Sequence, residues 1–372
     1  MKPAIYIFIF LLSFTELFSQ NSATLYQNYS EFAPLNSRKL YFRLENIDFL
    51  KNNEYTGDMV KGYTLIGSWM RPKLVYYPSE KLRIESGGHF LKYQGREEFD
   101  HVSFWFNTHY RLFNELSVVF GNLNNNANHH LIRPLFEPEQ YLTEKPEAGI
   151  QFLFNNRWLS SDLWLNWEQF ILSEDPFQEH FTFGWSSDFQ LWSRGLSRIG
   201  IPLQLIISHK GGQIDTSEEP VQTIRNNALG ISFSRDLTSP VLKQWSITAW
   251  YTSFKDASGT KKFAYDKGNG LLLEAYIDSR YGRVTGNYWN AHQYIAPKGM
   301  ELFQSVSTKI PGHSVTDREI ISLNYDINKQ VMRGANFGFS LETHYDLRAE
   351  NLSYVWGFFF TFNESFFIYL LP

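Results

Sequence analysis

The stretch SDLWLNWEQF, Ser161–Phe170, alternates polar and apolar residues almost without a break. In an extended chain successive side chains point to opposite faces. Leu163, Leu165 and Trp167 therefore share one face, and Asp162, Trp164, Asn166 and Glu168 share the other. A soluble sandwich that buries its apolar face gives the same pattern, so the choice between a sandwich and a membrane barrel rests on the remainder of the chain.

The pattern recurs. In HFTFGWSSDFQL, Phe181, Phe183, Trp185, Phe189 and Leu191 oppose His180, Thr182, Gly184, Ser186, Asp188 and Gln190; ANFGFSLETHYDL and HVSFWFNTHYR divide in the same way. The connections come in two sizes that alternate. Short turns such as PSEK (Pro78–Lys81) and LFNE (Leu112–Glu115) are followed by long segments after Leu123, Lys210, Phe254 and Ala291. A sandwich has no reason to sort its loops by parity, whereas an outer-membrane barrel has short periplasmic turns and long extracellular loops. The expected fold class is all-β: a transmembrane antiparallel β-barrel of about sixteen strands, the last over Leu352–Phe362. Boundaries soft by about 2–4 residues leave fourteen to eighteen strands open.

The N-terminus, MKPAIYIFIFLLSFTELFSQ, has a basic start at Lys2, an apolar run and then small or polar residues, which reads as a secretory signal over 1–19 cleaved near Ser19. No later run is long and apolar enough to cross a membrane as a helix, so strands must do so. Residues 20–38 are expected as an N-terminal periplasmic segment and 39–372 as the barrel. With no cysteine, the chain excludes disulfides, a lipid-anchored cysteine and a thiolate nucleophile. A net charge of -4 without a basic block argues against nucleic acid as a partner. The aromatic content, 17%, fits a lipid-facing band with girdles at both interfaces.

The signal, the two-residue period, the sorted loops and a final strand LSYVWGFFFTF together resemble a Gram-negative outer-membrane porin-type β-barrel. NNEY, NWEQF and DPFQE are similar to segments of a group of uncharacterised outer-membrane proteins. Such barrels usually end in an aromatic residue read by the assembly machinery; here the chain continues to Pro372, leaving Phe366, Phe367 or Tyr369 for that part. The resemblance implies outer-membrane lipid and the barrel-assembly machinery as partners, small hydrophilic solutes as cargo, and the outer membrane of a Gram-negative bacterium as the location. A homo-oligomer stays open.

The charged strand residues and histidines Arg83, Glu85, His89, Asp162, Glu168, Asp188, Arg225, Arg235, Glu274, Asp278, Arg283, Glu342 and His344 are expected in the lumen. There they set a transverse field or simply pair across the interior. Trp105 and Trp164 fall with this polar set. In the long segment 124–146, the apolar Leu131, Ile132, Leu135 and Phe136 accompany His129, His130, Arg133, Glu137 and Glu139. This composition suits a constriction loop folded into the pore. Neither a metal nor another cofactor is expected, because two adjacent histidines lack the third and fourth ligands of a defined site. Ser340 and His344 stand four apart on one strand, about 13 Å, too far for a nucleophile and its base. The expectation is a non-enzymatic, porin-like channel for passive diffusion. The alternatives are a structural, adhesive or export-partner barrel and, third, a membrane-embedded lipid hydrolase.

Overall fold

The computed structural model describes residues 25, 32–33, 36–124, 129–212 and 214–370. Sixteen strands follow one another: β1 (Lys39–Glu54), β2 (Tyr63–Ser79), β3 (Leu82–Tyr93), β4 (His101–Arg111), β5 (Leu116–Asn122), β6 (Ala148–Asn155), β7 (Leu159–Gln169) and β8 (His180–Arg194). The second half comprises β9 (Ser197–Lys210), β10 (Gln222–Asp236), β11 (Leu242–Asp256), β12 (Lys267–Ser279), β13 (Gly282–His292), β14 (Asp317–Met332), β15 (Ala335–Asp346) and β16 (Asn351–Leu370). Each pairs antiparallel with its neighbour, and β1 pairs with β16, closing the barrel. Closure leaves no edge with unpaired backbone groups, the condition for strands to stand in lipid.

β16 runs eight residues past the expected end at Phe362. The tail FNESFFIYL stays paired with β1 as far as Lys39 opposite Leu370, with one register shift between Leu40 and Tyr41 that skips Ile368. Aromatic contacts hold this seam on both faces: Phe42 stacks with Phe366, and Tyr41 meets Phe367 edge-on. The signal segment 1–19 lies outside the described residues. Of the segment expected in the periplasm, Leu25 packs inside the barrel among Ile47, Phe49, Trp69, Leu91 and Phe359.

The two-residue period sorts most side chains as expected, with two corrections. Arg225 and Arg235 lie on the outer face of β10 with Leu229 and Ile231, not in the lumen. The inward set on that strand is Ile224, Asn226 and Ala228, all buried. The two arginines bracket the apolar band at opposite strand ends, where a long cationic side chain keeps its head in the interfacial water.

Two long connections cross the interior. Leu131, Ile132, Leu135 and Phe136 of one, and Tyr294, Ile295, Met300 and Phe303 of the other, form one apolar cluster with inward residues such as Trp164, Ile206, Trp250 and Trp289. Removing this surface from water drives the loops inward. Polar ties fix where they rest. Arg133 makes two bonds to Glu342 on β15 (2.6 and 2.7 Å), Lys51 on β1 bonds Glu139, and Gln204 on β9 accepts from the Ile132 backbone (2.9 Å). Glu137 lies in the same segment, its backbone N–H bonded to Lys298 O at 2.8 Å. Anchored to walls on opposite sides, the segment works as a plug.

Candidate active site

Most of the inward charged residues are engaged in the wall itself. Arg43, Glu45, Lys73, Glu85 and Arg83 alternate in sign along β1, β2 and β3, with ion-pair distances of 2.9 to 3.1 Å. His89 accepts from Arg71 (2.9 Å), and Trp105 donates to Glu85 (3.1 Å) beneath the Lys73 ammonium. Arg283 grips Asp278 with two nitrogens, 2.6 and 2.5 Å. Glu274 faces inward on β12, and Asp188 faces inward beside Gly200. The paired groups among these satisfy one another, as charges held away from bulk water must.

His129 is fully buried, its Nδ1 2.7 Å from Asp162 and its Nε2 2.8 Å from Glu147. Burial alone would depress it, but the two carboxylates outweigh that and lift it to about 9. The imidazolium lies on the indole of Trp164 at 3.7 Å. His129 and His130 both adopt left-handed backbone, with φ of 50° and 60°. Ser186 Oγ and Gln204 Nε2 hold that turn by donating to their carbonyls (2.6 and 3.0 Å). Its partners make this histidine an anchor of the plug.

Among the described residues two serine–histidine side-chain pairs occur, and both cross between strands. Ser322 Oγ is 2.8 Å from His344 Nδ1, because the β14–β15 register sets the two residues opposite each other. Glu342 Oε2 is 3.4 Å from His344 Nε2, yet both Glu342 oxygens already accept from Arg133. The pair is also sealed under Phe303, with Ser322 and His344 each 2% exposed. A carboxylate committed elsewhere and a closed lid make it a structural contact.

The second pair differs on both counts. His180, the first residue of β8, has Nδ1 3.1 Å from Glu168 Oε2 on β7 and Nε2 3.4 Å from Ser208 Oγ on β9. Three adjacent strands deliver the three groups because Thr182 stands opposite Ser208 and His180 follows Gln169 across the β7–β8 hairpin. Thr182 Oγ1 (2.6 Å) and Lys298 Nζ (2.7 Å), the latter from the second plug loop, fix the other Glu168 oxygen. This is the order of a nucleophile, a base and an orienting carboxylate, with each imidazole nitrogen in its usual part. His180 is 28% exposed and Glu168 18%, so the group is accessible.

Access comes from two clefts at the long-loop end, both lined by Glu168, His180 and Lys298, of about 500 and 440 Å³. The wall is low beside them, since β5 and β6 have only 7 and 8 residues against 17 in β2. The smaller cleft reaches from the buried Arg71 and the exposed loop residue Lys145 to Phe104 and Trp167 on the lipid face, where they are 70% and 38% exposed. One cleft thus joins cations, the histidine and glutamate of the group and an apolar wall, with Ser208 behind His180 at 3.4 Å. Glu168 was legible as an inward carboxylate; its union with His180 and Ser208 was not, because that depends on strand register.

The fold is similar to solved outer-membrane proteins. OprD from Pseudomonas aeruginosa superposes with a TM-score of 0.51 at 9% identity, over 88% of this chain and 94% of that one. A loop-deletion form of OmpT from Vibrio cholerae gives 0.51 at 9% over 87% and 99%. OccK2 from Pseudomonas aeruginosa, solved with glucuronate, gives 0.51 at 9% over 88% and 99%. At such identity the likeness concerns the barrel architecture. A search of curated proteins returned no match. A family model described as Lipid A 3'-O-deacylase-type matches residues 32–370, and its name is that of an enzyme family. That match overturns the expectation of a non-enzymatic barrel. Since the match takes in all sixteen strands, the chain belongs to the lipid A 3'-O-deacylase-type family.

Proposed function

We propose that the protein is an outer-membrane ester hydrolase that removes an acyl chain from a glycolipid of the lipid A type. The observation that carries this reading is the Ser208–His180–Glu168 group, whose His180 and Glu168 line a cleft that opens toward the lipid face over the low wall at β5 and β6. The family description supplies the substrate class. In the reaction, Ser208 Oγ attacks the ester carbonyl while His180 Nε2 takes its proton, and Glu168 steadies the Nδ1–H of the resulting imidazolium. Collapse of the adduct expels the sugar alkoxide, which takes the proton from His180. Water then attacks the acyl-serine with His180 as base, freeing the fatty acid and restoring Ser208. A separation of 3.4 Å between Ser208 and His180 is the longer contact usual before substrate arrives. Arg71, Lys145 and Lys298 suit the phosphates of such a substrate, and Phe104 and Trp167 suit its chains.

The apolar plug argues against a diffusion channel as the main activity, since its two loops join opposite walls across the lumen. To test the proposal, the purified full chain is incubated with lipid A in mixed micelles and released fatty acid is measured by mass spectrometry. Release is expected from the native protein and from Ser322→Ala, and not from Ser208→Ala. Equal release from Ser208→Ala, or none from the native protein, would contradict the proposal.

A further inference from the structure

At the long-loop ends of β10, β11 and β12, Arg225, Lys255 and Lys267 stand side by side on the outer face. The register pairs Arg225 with Lys255 and Lys255 with Lys267. With neighbouring strands about 4.8 Å apart, the three positions span about 10 Å. Like charges set directly opposite one another repel, so such a row asks for a counter-charge. Among the described residues none of the three forms an ion pair, not even with the exposed Asp266 next to Lys267. Asp256 points inward and pairs with Lys261, and Glu219 pairs with Lys262 in the loops above. Elsewhere on the same rim the carboxylates have partners: Asp317 meets His292 at 2.8 Å and Glu319 meets Arg348 at 3.2 Å.

Below the cations the outer face changes in steps. The next row is Asn227, Ser253 and Asn269, in which Asn227 donates to Ser253 (3.0 Å) and accepts from Arg225 Nε (3.0 Å). Beneath that come Leu229, Tyr251 and Leu271, 52%, 58% and 42% exposed. Cation, amide or hydroxyl, and then apolar surface follow one another from rim to mid-wall. A phosphorylated lipid presents the complementary order: phosphate, then polar linkage, then chains.

We infer that this face is a fixed binding site for the phosphorylated head group of an outer-leaflet lipid, held by Arg225, Lys255 and Lys267. The guanidinium and two ammonium groups meet the phosphate oxygens through charge-assisted hydrogen bonds, and the chains lie along Leu229, Tyr251 and Leu271. The site lies on the outside of the barrel and needs no chemistry from the Ser208 group.

The test uses the full chain extracted in mild detergent, exchanged with diphosphoryl lipid A or its dephosphorylated form, and weighed intact with bound lipid by native mass spectrometry. The native protein is expected to retain diphosphoryl lipid A and to lose the dephosphorylated form. Replacing all three residues by serine is expected to cut retention about tenfold or more, and R225K/K255R/K267R to preserve it. Equal retention by the triple-serine protein or of the dephosphorylated lipid would overturn the inference. So would displacement of the lipid by equimolar inorganic phosphate, which would make the row a general anion site. The two-lipid comparison needs no variant to fold, and the triple-serine protein, which keeps Arg71, Lys145 and Lys298 of the cleft, separates retention on this face from retention in the cleft.

Discussion

His129 lies flat on Trp164, the ring centroids 3.7 Å apart and the planes 5° from parallel, while its two nitrogens face Asp162 and Glu147. A histidine raised to about 9 in the folded protein stabilises the fold most at pH below its ordinary 6.5. That contribution falls as pH rises from 6.5 and is gone above about 9. Protection factors across 129–146, with the intrinsic base-catalysed rise in exchange rate divided out, are therefore expected to fall between pH 6.5 and 9. A flat profile over that window would show that the charge on His129 does not hold the plug.

Arg133 carries the matching role at the far wall. Its replacement by alanine leaves Glu342, 2% exposed, without its two bonds, a loss of about 3–5 kcal/mol for a broken buried pair. Small, infrequent conductance steps are expected from the native protein in planar bilayers, and larger ones from Arg133→Ala as the loop comes away. Equal conductance in both would place the barrier elsewhere than in this loop.

The inner and outer faces respond to charge for different reasons. Phe339→Arg sets a cation in the lipid-facing band, and about 2–4 kcal/mol of stability is expected to be lost at mid-wall. Ser186→Arg is expected to destabilise as well, although Ser186 points inward, because its hydroxyl holds the His129 carbonyl at 2.6 Å in a packed interior. Urea titrations of the folded barrel in detergent measure both. A neutral Ser186→Arg would show an interior wetter than this packing allows.

The barrel was legible in the sequence because each strand states its two faces locally: Leu163, Leu165 and Trp167 against Asp162, Asn166 and Glu168 need no partner to be sorted. Loop parity then supplied closure. Arg225 and Arg235 were misassigned because charge was taken as a sign of the lumen, whereas at strand ends it equally marks the membrane interface. The inward polar face also reads as wet from sequence, and only the folded loops reveal that Leu135 and Phe303 fill it. The Ser208–His180–Glu168 group was out of reach for a related reason. Its members lie 40 residues apart from first to last and meet only through the registers of β7, β8 and β9. The same holds for Ser322 and His344, which no spacing along one strand relates.

Glu168→Gln keeps the shape of the cleft but removes the charge that steadies a protonated His180. A fall in kcat of about 1,000- to 10,000-fold is expected, with KM little changed, as for an orienting carboxylate that acts through its histidine. Steady-state kinetics on a soluble ester of a short fatty acid would measure it. A change confined to KM would assign Glu168 to binding, together with Lys298.

The central claim is that Ser208 is the nucleophile. The most direct measurement treats the folded full chain with a lipid-chain fluorophosphonate, which marks an activated serine covalently, and maps the adduct by peptide mass spectrometry. One adduct is expected, on Ser208, and it should be absent from the His180→Ala protein. An adduct on Ser322, or none on a protein that still releases fatty acid, would contradict the account.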